Sequence, residues 1–148
     1  MIEIRADFQI KLTLKPGAVY YFPEPSFSSS EPHYFVVLNH NPLSDKFLAL
    51  VCGSSRIEKV KRRRHNCPLS TLLEISPAQY SGFPRHTIID CNEVHEYTTR
   101  NLINKVEKGE LKLKPVLDSE LIVALRSAVC DSPLVPIKIK KLLRVNKI

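Results

Sequence analysis

The chain has 148 residues, 43% hydrophobic and 25% charged, with a formal net charge of +7. That length suits a single domain with a real core, the apolar share excludes wholesale disorder, and no run reaches the ~18 apolar residues of a membrane helix, so no membrane partner is expected. The polar start, Met1 to Asp7, does not read as a secretory signal, and four cysteines read as thiols of a reducing, cytoplasmic compartment rather than a disulfide scaffold.

Charge is concentrated in two places. Residues 56–64 carry six cations against one acid, Glu58, and the stretch from Ser132 to Ile148 carries five cations and no acid. Such patches attract phosphate backbones or acidic partners. A solvated loop or helix face has the same composition.

In chain order, Gly17 opens a first strand over Ala18 to Phe22. Pro23 to Pro32 holds three prolines and four serines, so it is a loop and not a central strand. Tyr34 to Leu38 is the strongest strand signal, aromatic and β-branched, and Asn39 to Pro42 makes a turn. Lys46 to Cys52 is a third strand, ended by Gly53-Ser54-Ser55. The basic segment 56–64 follows as an exposed loop or strand end. Ser76-Pro77 starts a short turn, and Thr87 to Cys91 is a fourth strand. Thr98 or Thr99 caps a helix over Arg100 to Lys108, ended by Gly109. Asp118 caps a helix over Ser119 to Cys130 with a wide apolar stripe. A last helix runs from Ile137 to Val145.

Strands first and helices last predict an α+β, mainly β fold: a curled sheet or small barrel of antiparallel strands with helices segregated to one side. One domain spans 1–148, with the barrel over about 14–98 and a helical C-terminal part over about 99–148. A doubly wound parallel sheet is disfavoured because βαβ alternation is missing.

The four glycines are far apart, so no phosphate loop exists, and no Gly-x-Ser-x-Gly elbow is present. His65-x-Cys67 and His86-x4-Cys91-x3-His95 do not match structural zinc spacing, so no metal and no cofactor is expected. Histidine suits general acid–base work near neutrality. His33 is the first candidate, at the mouth of the strongest strand, and His95 the second, at the end of the fourth. A lone histidine is more often a structural, hydrogen-bonded residue.

The order of motifs resembles the MazF/PemK family of toxin ribonucleases. Leu14 to Tyr21 is similar to its opening strand, Ser30 to Asn39 to its second, Ala49 to Ser55 to the strand with a Thr/Ser turn, and Thr87 to His95 to its hydrophobic-Cys-Asp-Gln segment. The likeness covers about Pro16 to Cys130. It implies a small SH3-like barrel with C-terminal helices, a homodimer, and an antitoxin with an acidic tail. It implies metal-independent cleavage of single-stranded RNA, with His33, Ser54 and His95 as catalytic residues and Arg62, Arg63, Arg64 and Asn92 as RNA contacts. The sequence departs from the family where its arginines fall on His33 and near His95 and its aspartate on Asn92. Either the chemistry is rebuilt on histidines, or the barrel is a non-catalytic module for nucleic acid or an acidic protein. A third possibility is a structural subunit that docks a partner through its basic tail.

Overall fold

The longest strand, Leu48–Ser54, organises the sheet. The structure, a computed structural model, describes residues 5–144. In chain order these form α1 (Ala6–Thr13), β1 (Val19–Phe22), β2 (His33–Val37), β3 (Leu48–Ser54), α2 (Ile57–Arg63), β4 (Leu72–Ile75), β5 (Thr87–Asp90), β6 (His95–Tyr97), α3 (Thr99–Glu107), β7 (Lys112–Lys114), α4 (Ser119–Asp131) and α5 (Ile137–Leu143). A 3-10 turn, Leu69–Thr71, leads into β4.

All strand pairs are antiparallel, in one open, barrel-like α+β sheet ordered β4-β5-β3-β2-β1-β7. β3 pairs with β2 along one edge. Its other edge is divided between β6, which meets Leu48 to Leu50, and β5, which meets Gly53 and Ser54. The four strands expected from the sequence are all present. β4, β6 and β7 are short additions at the margins, and His95 belongs to its own strand rather than to the end of the fourth.

Strand alternation makes two cores. Val19, Val36, Ala49 and Val51 pack with Ile122, Leu125 and Val129 of α4 and Ile139 of α5. Tyr20, Phe22, Phe35, Val37, Leu48 and Leu50 pack on the opposite face with Ile10 of α1 and Leu102 and Ile103 of α3. The expectation of helices on one side is therefore corrected: α1 and α3 cover one face, α4 and α5 the other. The physical reason is visible in β2 and β3, whose apolar runs are continuous rather than alternating, as strands buried on both faces require.

The basic segment is also corrected. Residues 57–63 are helical, not a loop. Ile57 and Val60 lie on one face, and Val60 is 4% exposed. Glu58 sits in the first turn and Lys61, Arg62 and Arg63 in the last, the arrangement that suits the helix dipole. The cap expectations hold. Thr98 and Asn101 form a capping box on α3, and the Asp118 side chain accepts from Leu121 N on α4. The last helix ends at Leu143, and Val145 lies outside the described residues.

Candidate active site

Residues two apart on a strand share a face. Leu48, Leu50, Cys52 and Ser54 therefore line up on β3, and His33 and Phe35 on β2 share that face. The register pairs Tyr34 with Gly53, which sets His33 across from Ser54 one step further along. His95 pairs with Leu50 on the other edge of β3. Towards Leu48 the face is sealed by α1 and α3. Towards Ser54 it opens into a cleft of about 640 Å³ that His33, Cys52, Ser54 and His95 all line. The three residues expected to be catalytic thus reach one cavity through strand periodicity and register.

Phe27, the only aromatic residue of the Pro/Ser loop, fills the space between the histidines. Its ring centroid is 5.1 Å from that of His33 and 5.3 Å from that of His95. Phe35 meets His95 edge-on at 5.7 Å. His33 Nδ1 is buried and has no hydrogen-bond partner within the protein. Burial holds the His95 pKa below the ordinary histidine value and nearby His33 adds to this, although Glu93, Glu24 and Asp90 pull the other way. At neutral pH the His95 ring is therefore an uncharged proton acceptor.

The other polar groups have narrower roles. Burial pushes the Cys52 thiol up to about 12, so it stays protonated and is no nucleophile. Ser54 Oγ accepts a hydrogen bond from Arg56 N at 3.1 Å. That partner is a backbone N–H, not a base, so Ser54 turns the chain into α2 without being an activated nucleophile.

Four cations wall the cleft: Arg56, Lys59 and Arg63 from the α2 segment and Arg85 from the loop before β5. Among the described residues Arg56, Lys59 and Arg85 form no ion pair. Arg63 reaches Asp90 at 3.3 Å while half exposed, and Arg64 Nε donates to the same carboxylate at 2.8 Å. Arg64 also pairs with Glu93 at 3.4 Å and does not line the cleft. Arg62 is exposed outside it. Asn92 is 5% exposed, and its amide donates to Thr71 Oγ1 and Asp90 Oδ1 and accepts from Ser132 Oγ. It positions Asp90 from behind, with no free polar edge for RNA.

Of the expected site residues the structure therefore brings together His33, Ser54, His95 and Arg63, and leaves Arg62, Arg64 and Asn92 outside. Sequence reasoning missed Arg85, Phe27 and the anchoring role of Asp90. Arg85 two residues before a strand and Phe27 alone in a polar loop were the available signals. Among the described residues no group of three or more His, Cys, Asp or Glu side chains is placed to hold a metal ion. All four cysteines are free thiols, and no helix among the described residues is long and apolar enough to cross a membrane. The chain matches no protein-family model and no curated protein sequence.

Proposed function

We propose that the protein is a toxin-like endoribonuclease that cleaves single-stranded RNA in this cleft. The observation that carries the reading is the convergence of two histidines from different strands on one cavity walled by Arg56, Lys59 and Arg85. In the reaction, neutral His95 takes the proton of a ribose 2′-hydroxyl. The 2′ oxygen attacks phosphorus, the bond from phosphorus to the 5′ oxygen breaks, and His33, as the general acid, gives a proton to the departing oxygen. The products are a 2′,3′-cyclic phosphate and a 5′-hydroxyl. The unpaired cations hold the phosphate and the charge that builds on it. An antitoxin with an acidic tail would engage the same cations, and a second copy of the chain is the other partner that the resemblance implies.

A non-catalytic RNA-binding module is the second reading. It is favoured by the Phe27 ring between the two histidines and by the backbone bond that occupies Ser54. The test is incubation of purified protein with mixed-sequence RNA in the presence of a chelator. Cleavage with cyclic-phosphate ends is expected, and His33→Ala or His95→Ala should slow it about 10²–10⁴-fold with binding retained. Binding without cleavage establishes the module, and absence of both overturns the RNA assignment.

A further inference from the structure

We infer that Tyr21 and Tyr34 form a stacking platform for an unpaired nucleobase of single-stranded RNA. This inference rests on the RNA reading of the cleft and adds a base-recognition subsite to it.

The two tyrosines are cross-strand partners on β1 and β2, with ring centroids 4.5 Å apart and planes tilted by 42°. Both are partly exposed, and both line the cleft. They lie on the sheet face opposite His33, which is the chain neighbour of Tyr34 and the cross-strand partner of Phe22. A strand passing round the start of β2 meets the tyrosine rings on one side and the histidine on the other.

Three features keep the platform open and rigid. Val19, two residues before Tyr21, is fully buried under the α4 and α5 cluster, whereas Tyr21 lies beyond that cover. Gly53 is the neighbour of Tyr34 on β3 and has no side chain of its own, which leaves room for Phe83 to pack against that flank of the ring. A Cβ at Gly53 would sit 2.8 Å from Thr87 Cγ2, so the position is held bare by packing. Behind the platform, Phe83 meets Tyr34 edge-on at 5.1 Å and Tyr80 meets Phe83 edge-on at 4.7 Å. The Tyr80 hydroxyl is anchored on Pro115 O at 2.6 Å.

Positive charge flanks the rings. Lys114 Nζ lies over one face of the Tyr21 ring, 5.3 Å from its centroid, and Arg85 lines the same cleft. Aromatic faces bordered by cations are what single-stranded nucleic acid uses, because every base has a π-face and every link a phosphate. A cross-strand aromatic pair also stabilises a sheet without any ligand, so the test must separate binding from stability.

The experiment compares two labelled strands of about 12 nucleotides, a length within the usual range of single-strand sites. One is a 2′-O-methyl oligouridylate, which lacks the hydroxyl needed for cleavage, and the other is its abasic counterpart. The wild-type chain is expected to bind the base-bearing strand at least about 10-fold tighter. Tyr21→Leu and Tyr34→Leu, which keep apolar bulk, should bring that preference close to unity while binding to the abasic strand is retained. Equal binding of the two strands by the wild type, or an unaltered preference in the variants, overturns the platform and leaves the RNA reading standing. Binding of neither strand overturns both. If Tyr34→Leu does not fold, Tyr21→Leu decides the question, since Tyr21 lies outside the packed cluster.

Discussion

Arg64 Nε donates to Asp90 Oδ2 across 2.8 Å, joining the end of α2 to the end of β5. Arg64 is 18% exposed and Asp90 8%, so water screens the pair poorly. Asn92 completes the site with two hydrogen bonds to Asp90 Oδ1. The α2 part of the cationic wall is thus tied to the sheet chiefly through Asp90, with Glu93 on Arg64 and Glu74 on Lys61 as further partners.

Asp90→Ala should therefore destabilise the fold by about 1.5–3 kcal/mol, because it takes the nearer carboxylate from a partly buried guanidinium that keeps only the 3.4 Å contact to Glu93. Urea unfolding measures this. Combined with Arg64→Ala the loss should be well below the sum of the two single losses. Strict additivity would show that the pair is not coupled.

Two groups give stability a defined pH dependence. Burial acts to raise the Asp90 pKa, but hydrogen bonds from Arg64 and Asn92 outweigh it and hold the value below the ordinary 3.8. Its contribution is complete above about 3.8 and is lost as pH falls through the lower folded value. His95 acts at higher pH. Burial depresses its pKa below 6.5, so its contribution is complete above about 6.5 and declines as pH falls through the folded value. NMR titration of the imidazole should give a midpoint below 6.5. Phe27→Ala, by admitting water, should move that midpoint upward, and an unmoved midpoint would show that Phe27 is not what buries the ring.

Gly17 and Gly109 separate backbone strain from packing. Both have positive φ, +81° and +72°. A Cβ at Gly17 would collide with Ile122 of α4 and lie 3.0 Å from Leu117 O, whereas one at Gly109 meets nothing within 4 Å. Gly109→Ala should cost about 1–2 kcal/mol, the left-handed penalty alone. Gly17→Ala should cost that plus roughly 1–3 kcal/mol of overpacking. Thermal unfolding of the two variants checks the difference, and equal losses would refute it.

The cations of the α2 segment and of the loop before β5 should divide in an RNA titration. Arg56→Ala, Lys59→Ala and Arg85→Ala should each lower the salt slope of binding by about one. Arg64→Ala should leave the slope unaltered and lower stability instead. The opposite pattern would move the phosphate contacts outside the cleft.

The four central strands, the capped helices α3 and α4, and the antiparallel arrangement follow from local patterns. Aromatic and β-branched runs favour strands wherever they are packed, and Thr98 and Asp118 satisfy N–H groups that any helix start leaves open. His33 and His95 were legible as candidates because their residue type and nearness to strong strands do not depend on the rest of the fold. Helical residues 57–63 were not legible, because a dense basic run reads as loop until Val60 is given a sheet to pack against.

Tertiary structure alone decided which polar groups meet. Ser54 and His33 are 21 residues apart in the chain, and only the β2–β3 register sets them face to face. Asn92 and Arg64 have the composition of RNA contacts, yet folding binds both to Asp90, because a buried carboxylate must collect nearby donors. Sequence pattern thus determined the strands and the chemical types at their ends. Long-range pairing chose among those types, since register and burial depend on residues that local patterns do not connect.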